Sequence, residues 1–205
     1  MLNEFFDKVY LINLPQSTDR LERAIINCER VGIEFELIEA IDGTNEEVII
    51  NGKQHEGWNR NAAALSLTTL KIIKDAKEKG YKNIFIMEDD IDFIKSKFNL
   101  ILTRALSALP EDWDFFHLNV KNEAKPLWVS NCLIKLNGAW CCQAYGVNSS
   151  MYDIYISELD KCMMPIDEIT KNLHKSRGKS YATLPSIVVH HRGKFSTLRE
   201  KNVEY

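Results

Sequence analysis

Three adjacent carboxylates follow a short hydrophobic run near the middle of the chain. Ile84 to Met87 is apolar, and Glu88, Asp89 and Asp90 come directly after it. Such a run is typical of a buried strand, and ligands of open α/β sheets bind at the carboxyl ends of the strands. Neighbouring carboxylates repel one another, and magnesium or manganese, which prefer oxygen ligands, would offset that repulsion. The pattern predicts a divalent-metal site that carries a nucleotide diphosphate. The alternative is a solvated turn in which Asp90 caps a helix.

The composition restricts the class of protein. The chain has 205 residues, of which 45% are apolar and 27% charged, as expected for one globular domain. The net charge of -3 argues against a dedicated nucleic-acid binder, and no apolar run approaches the ~18 residues of a membrane span. The N-terminus carries acids where a signal peptide is basic, and the five cysteines form no CxxC pair. We therefore predict a cytoplasmic protein without a transmembrane segment, and leave peripheral membrane association open.

Strands and helices are predicted to alternate in the first half of the chain. Their apolar periodicities and turn residues place strands at residues 8–14, 35–40 and 83–87, and helices at about 18–31 and 59–79. This order implies parallel strands joined by crossover helices. The expected fold is one α/β domain with a mixed, mainly parallel central sheet flanked by helices. We assign nucleotide binding to about residues 1–95 and acceptor binding to about residues 96–205.

The second half is predicted to contain a hairpin. Asn137-Gly138 is a strong turn signal between two strand-like segments at 131–136 and 139–147, whereas residues 122–128 are expected to form a loop. Pro165 is expected to open a short helix that carries Asp167 and Glu168.

Six short segments follow one another in order along nearly the whole chain. They are Val9 to Leu14 followed by Asp19-Arg20, Ala40 to Gly43, Leu65 to Leu67, Glu88 to Asp90, Ala144 to Gly146, and Pro165 to Asp167. Together they resemble glycosyltransferase family 25, which includes bacterial lipooligosaccharide galactosyltransferases and collagen galactosyltransferases. The third segment departs from the family, because Leu67 replaces a histidine. The resemblance implies the Rossmann-like GT-A fold, a divalent cation and a UDP-linked sugar donor.

The resemblance assigns roles to the residues at the ends of the first and third strands. Asp90 would bind the metal directly, as in a DXD-like motif. Glu88 or Asp89 would assist through water or through the ribose hydroxyls. Asn13 would lie under the nucleotide.

Further polar residues are candidates for binding the donor. Arg20 could pair with the diphosphate, and Asp42 could accept a hydrogen bond from uracil or ribose. The alternatives are a helix-surface arginine and a plain Asp-Gly turn. Near the C-terminus, His190 and Lys194 resemble the histidine and lysine that metal-dependent GT-A enzymes place at the metal and the phosphates. His191 is the competing metal ligand, and an exposed basic tail is the alternative.

Asp167 and Glu168 are candidates for the general base. Inverting sugar transfer needs a carboxylate that takes the acceptor proton, and the resemblance favours Asp167. The alternative is a pair of acids that stabilise the first turn of a helix.

The predicted function is therefore metal-dependent transfer of a hexose, with galactose favoured, from a UDP-sugar to a glycan acceptor such as a lipopolysaccharide. The resemblance implies inversion at the sugar carbon. One alternative is a nucleotidyltransferase, although such enzymes usually carry a glycine-rich basic loop after the first strand and residues 13–17 contain no glycine. The other is a non-catalytic module that binds nucleotide sugars or glycans.

Overall fold

The computed structural model describes residues 1–44, 60–94, 96–140, 142–161, 164–190, 194–196 and 201–203, with His190 and the last two ranges as backbone only. The helices are Leu2–Phe5 (α1), Thr18–Val31 (α2), Arg60–Glu78 (α3), Phe98–Ser107 (α4), Tyr152–Asp160 (α5) and Ile166–Arg177 (α6), with a 3-10 turn at Ser149–Met151. The strands are Lys8–Asn13 (β1), Glu36–Glu39 (β2), Asn83–Glu88 (β3), Ile91–Phe93 (β4), Phe115–His117 (β5), Lys121–Asn122 (β6), Leu127–Ser130 (β7), Leu133–Lys135 (β8), Ala139–Trp140 (β9), Ala144–Asn148 (β10), Ser180–Thr183 (β11), Val188–His190 (β12), Lys194–Ser196 (β13) and Lys201–Val203 (β14).

A mixed eight-stranded sheet forms the centre of the fold. Its strand order is β2-β1-β3-β10-β5-β11-β8-β7. The pairs β1–β2, β1–β3 and β5–β11 are parallel, and the remaining neighbours are antiparallel. The predicted α/β class with a mixed sheet and flanking helices is confirmed, and the parallel strands β2, β1 and β3 end at the same edge of the sheet.

Both faces of the sheet are covered by apolar side chains. Successive residues of a strand point to opposite faces. In β1, Tyr10 belongs to the apolar cluster that also contains α3, whereas Leu11 belongs to the cluster that contains α2 and α4. In β3, Ile86 and Phe85 divide between the two clusters in the same way. The apolar spacing of α3 predicts one stripe of side chains, and all its members are buried: Ala63, Leu67, Leu70, Ile73 and Ala76.

Helix α2 differs from its predicted packing. Leu21, Ala24, Ile25 and Cys28 are spaced for a buried stripe, yet Ile25 is 37% exposed. Asn27 is buried instead, and its amide donates to the carbonyl of Ile91 at 3.1 Å and to the carboxylate of Asp92. A polar side chain therefore anchors α2 to β4, the strand that follows the acidic triplet. Apolar periodicity could not indicate this polar contact.

The predicted hairpin around Asn137-Gly138 is wrong. The turn itself is present, with φ of 86° at Gly138. However, β8 pairs with β7 and β11, β9 pairs with β6, and β10 lies between β3 and β5. Burial of β10 between two central strands outweighs pairing across a short turn. The predicted loop at 122–128 is present but shorter, at residues 123–126, because β6 and β7 take up its two ends.

A buried histidine pair lies between the sheet and α6. Nε2 of His117 is 3.1 Å from Nε2 of His174, and both residues are 1% exposed. The His117 ring stacks on Tyr145, with centroids 5.6 Å apart. Burial, and then the neighbouring His117, hold the pKa of His174 well below its ordinary value. These buried contacts indicate a structural role for His117.

Two predictions from composition can be compared with the described ranges. There, Cys28, Cys132 and Cys142 are buried free thiols. None of the helices in these ranges combines the length and the apolar character that crossing a bilayer requires.

We expect the histidine pair to make the protein sensitive to mild acid. The pKa of His174 is lower in the folded chain than in the unfolded chain, where it lies near 6.5. The unfolded chain therefore binds more protons below about pH 6.5, and the free energy of unfolding falls as the pH falls from there toward the folded pKa. Each pKa unit of difference contributes about 1.4 kcal/mol.

Denaturant unfolding at about pH 7.5 and pH 5 measures this effect, with the double variant H117L/H174L as the control. The wild-type protein should lose more stability between the two pH values than the control. Equal losses would show that the histidine pair does not set the pH dependence.

Candidate active site

An open pocket with about 600 Å³ of empty volume lies where β1, β2 and β3 end. In doubly wound sheets this edge is the usual place for ligands. The wall toward β2 and α3 is largely apolar, and the wall toward β3 carries the acidic triplet. The lining residues are Ile12, Asn13, Leu14, Arg20, Ala40, Ile41, Gly43, Asn61, Ala64, Leu65, Glu88, Asp89 and Asp90.

Asp89 forms the buried centre of the acidic triplet. One carboxylate oxygen accepts a hydrogen bond of 2.6 Å from Asn13, and the other forms an ion pair with Arg20. The same guanidinium nitrogen of Arg20 lies 3.4 Å from Asp90. Asn13 also donates to the carbonyl of Ser17 at 3.1 Å. The ends of β1 and β3 and the start of α2 are thus joined through Asp89.

The charges of the triplet remain incompletely balanced despite Arg20. Burial, followed by repulsion from Asp90, Asp167 and Asp89, raises the pKa of Glu88 well above its ordinary value. Burial also raises the pKa of Asp89, although Arg20 and Asn13 act in the opposite direction. Added positive charge would therefore stabilise the ionised form of this site.

Asp42 lies beside the pocket and not among its lining residues. Its carboxylate accepts hydrogen bonds from the backbone of Thr44 at 2.8 Å, from the Thr44 hydroxyl at 2.6 Å and from Gln16 at 2.7 Å. These bonds lower the pKa of Asp42. Its carboxylate therefore organises a turn whose neighbours Ile41 and Gly43 do line the pocket.

The two candidate bases on α6 face different surroundings. Pro165 precedes the helix as predicted, and the backbone N–H of Cys142 donates to Asp167 at 2.9 Å. Asp167 is also one of the charges that raise the pKa of Glu88, although it is not among the residues that line the pocket. The structure brings Asp167, and not Glu168, into electrostatic contact with the triplet.

Glu168 belongs to a separate ionic cluster. It accepts a hydrogen bond of 2.8 Å from the Trp140 indole and lies 2.5 Å from Lys171, whose ammonium stands 4.5 Å from the centroid of the Trp140 ring. Burial alone would raise the pKa of Glu168, but the bonds from Lys171 and Trp140 outweigh it and lower the pKa. A lowered pKa makes Glu168 a weaker base than an ordinary glutamate.

The two C-terminal candidates fall outside the described side chains. The backbone of His190 pairs with Ile91 in the antiparallel β4–β12 ladder, next to Asp90 in sequence. The backbone of Lys194 pairs with Val203 in β13–β14. Their side chains, and His191 as a whole, lie outside the described part of the chain, so their proposed roles stay predictions.

Reasoning from sequence missed the pocket residue Asn61 and also Gln143, which holds the backbone of Glu88. Asn61, at the start of α3, lines the pocket, and a Cβ at Gly43 would overlap its side-chain oxygen. The Asp42-Gly43 turn was visible in the sequence, but its close approach to Asn61 was not. The carbonyl of Gln143 accepts the N–H of Glu88 at 2.8 Å, and its side chain accepts from Asn119 at 2.9 Å.

The side chains that line the pocket have the chemistry of ligands for a divalent cation. Carboxylate oxygens of Glu88 and Asp90 line the pocket, and hard oxygen ligands suit magnesium or manganese. Among the described residues, no group of three or more histidine, cysteine, aspartate or glutamate side chains is arranged to hold a metal. Magnesium commonly uses only one or two protein carboxylates, together with phosphates and water.

Comparison with known sequences identifies a family. The sequence model described as "Glycosyltransferase family 25 (LPS biosynthesis protein)" matches residues 6–170, which include the acidic triplet and Asp167. Procollagen galactosyltransferase 2 of Mus musculus is 22% identical over 136 residues, which cover 57% of this chain. The match spans only 21% of that relative, so this chain corresponds to about a fifth of its length.

Comparison with solved structures identifies the fold. A glycosyltransferase involved in the glycosylation of the major capsid of PBCV-1 has a TM-score of 0.51 at 14% identity, over 91% of this chain and 93% of that one. UDP-glucose pyrophosphorylase complexed with UDP-glucose also has a TM-score of 0.51 at 9% identity, over 86% of this chain and 89% of that one. The likeness supports the GT-A-like architecture, and it does not separate sugar transfer from nucleotidyl transfer.

We expect Glu88→Gln to stabilise the protein in the absence of ligands. Glu88 has a higher pKa in the folded chain than in the unfolded chain, so the folded protein loses stability as the pH rises above about 4.5 toward the folded pKa. Glutamine removes that charge at similar volume. The free energy of unfolding at about pH 8 should rise by about 1 kcal/mol or more.

Denaturant unfolding in EDTA at several pH values measures this gain, which should shrink toward about pH 5 as Glu88 becomes protonated in the folded wild type. Glu78→Gln, at the exposed end of α3, is the control. A loss of stability in E88Q at every pH would contradict the electrostatic account.

Proposed function

Since this chain belongs to glycosyltransferase family 25, we propose that it transfers a hexose from a UDP-sugar to a glycan acceptor. The observation that carries the proposal is the pocket at the ends of β1, β2 and β3, which combines an apolar wall with the acidic triplet. Galactose is the favoured sugar, because the murine relative is named as a galactosyltransferase. A lipopolysaccharide-type glycan is the favoured acceptor, because the family description includes LPS biosynthesis.

The two walls of the pocket suit the two ends of a nucleoside diphosphate. Ile12, Ile41 and Leu65 offer apolar surface for a base and ribose, and the Asn61 amide can exchange hydrogen bonds with a base. The opposite wall presents Arg20 among carboxylates, where a diphosphate could pair with its guanidinium. Asn13 orients Asp89 beneath this wall.

Glu88 and Asp90 would hold the proposed manganese or magnesium ion. When bound, the cation would neutralise the charge that develops on the UDP leaving group. The repulsion that raises the pKa of Glu88 supports this assignment, because the site gains stability from added positive charge. The side chains of His190 and Lys194 are further proposed partners of the metal and the phosphates.

Asp167 is the proposed general base. In inverting transfer, the acceptor oxygen forms a bond to the anomeric carbon as the bond from that carbon to the diphosphate oxygen breaks, and the hydroxyl proton passes to a carboxylate. The charge of Asp167 raises the pKa of Glu88, whereas the Glu168 carboxylate is engaged by Trp140 and Lys171. Glu168 would instead fix the first turn of α6 and thereby the position of Asp167.

The two competing functions give different products. A nucleotidyltransferase would release pyrophosphate from UTP and a sugar phosphate, and a binding module would bind UDP-sugar without turnover.

The buried free thiols of Cys28, Cys132 and Cys142 favour a reducing compartment, which supports the proposed cytoplasmic location.

We expect Asp90→Asn to abolish sugar transfer without unfolding the protein. The substitution keeps the shape of the side chain but removes a negative metal ligand, so turnover should fall by at least about 100-fold. The assay measures UDP release from UDP-galactose and other UDP-hexoses with manganese and a lipooligosaccharide acceptor. Asp160→Asn, at the exposed end of α5, is the control. Full activity of D90N would contradict the proposed site, and pyrophosphate release from UTP would favour nucleotidyl transfer.

A second prediction separates the neighbouring acids of α6. Asp167→Asn removes the proposed base and should lower kcat by about 100-fold or more, with little change in KM for the donor. Glu168→Gln weakens the contact with Lys171 but keeps an acceptor for Trp140, so its kcat should fall far less. Steady-state kinetics and the pH dependence of kcat measure both effects. A larger loss in E168Q than in D167N would reverse the assignment.

A further inference from the structure

We propose that Arg20 is the resident counter-ion of the acidic triplet, and that a divalent cation displaces its guanidinium from Asp90 but not from Asp89. The released side of the guanidinium would then pair with the diphosphate. Arg20 would therefore oppose binding of the cation alone and favour binding of the cation together with the nucleotide. This inference rests on the proposed cation site and adds to it a coupling between cation binding and nucleotide binding.

Arg20 lies closer to Asp89 than to Asp90. A single terminal nitrogen makes a close ion pair with Asp89 and lies 3.4 Å from Asp90. The side chain of Asp89 is 7% exposed and that of Asp90 is 32% exposed. The other oxygen of Asp89 accepts a hydrogen bond from Asn13. Asp89 is thus held from two sides in a buried place, and Asp90 presents the longer and more accessible contact.

The position of Arg20 makes competition with a cation unavoidable. The guanidinium and the cation would be attracted to the same Asp90 carboxylate, and like charges at a few ångströms repel one another. The side chain of Arg20 is 21% exposed and lines the pocket. It can therefore rotate toward phosphate oxygens, which match the fork of the guanidinium, without leaving the pocket.

The proposal predicts effects of opposite sign on two ligands. Without Arg20, the cation alone meets less repulsion and should bind more tightly. The nucleoside diphosphate then lacks its guanidinium partner and should bind more weakly. A merely structural role for Arg20 predicts a different result, because a distorted site would bind both ligands more weakly.

Arg20→Gln tests the proposal, with Arg30→Gln at the exposed end of the same helix as the matched control. Titration of MnCl2 without nucleotide, followed by the electron paramagnetic resonance of free manganese, should give a Kd about fivefold or more lower in R20Q than in wild type and R30Q. Calorimetric titration of UDP at saturating manganese should give a Kd about tenfold or more higher in R20Q. Circular dichroism verifies that each variant is folded.

A measurement on the wild-type protein covers the case in which R20Q does not fold. The side-chain NMR resonance of Arg20, assigned by its loss in Arg20→Lys, should shift when magnesium is added without nucleotide, and shift again with UDP. No shift with saturating magnesium would overturn the proposal.

The remaining outcomes separate this inference from the proposed function. Manganese affinity that is unchanged or lower in R20Q overturns the inference, even if UDP-sugar transfer is observed. Tighter manganese binding in R20Q supports it, even if no UDP-sugar serves as a donor. Failure of every variant to bind manganese would overturn both the inference and the metal dependence, and transfer assays in EDTA would then decide the function separately.

Discussion

The electrostatic cost of ending a buried strand in three carboxylates constrains the whole site. Neighbouring carboxylates raise one another's pKa, and burial adds to the effect, as Glu88 shows. The fold offsets part of this cost with Arg20 and with the hydrogen bond from Asn13 to Asp89. Because these residues lie on α2 and β1, the offset is possible only when the first βα unit packs beside β3. The polar contacts of Asp89 therefore join β1 and α2 to the end of β3.

A second set of contacts holds the far side of the pocket in place. The carbonyl of Gln143 accepts the N–H of Glu88, and the preceding residue, Cys142, donates its N–H to Asp167. The segment before β10 thus links the end of β3 to the first turn of α6. Glu168 reinforces that turn through Trp140 and Lys171. This arrangement explains how the charge of Asp167, from the second half of the chain, comes to act on Glu88 in the first half.

The parts of the structure that follow local periodicity could be predicted from the sequence. The stripe of α3, the strand before Glu88 and the helix after Pro165 each have a local cause, namely regular apolar spacing or a fixed backbone angle. The partners of β8, β9 and β10 could not be predicted, because the Asn137-Gly138 turn specifies a change of direction and not which strands meet. Asn27 and Asn61 were missed for a related reason. A single amide side chain has no sequence pattern, and its neighbours in space lie far away in the chain.

The central claim is that the acidic pocket binds a nucleoside diphosphate together with a divalent cation. Calorimetric titration of UDP into the wild-type protein, in manganese and in EDTA, tests it most directly. The account predicts saturable one-to-one binding in manganese and little or none in EDTA. Absence of binding in manganese, or equal binding in both conditions, would contradict it.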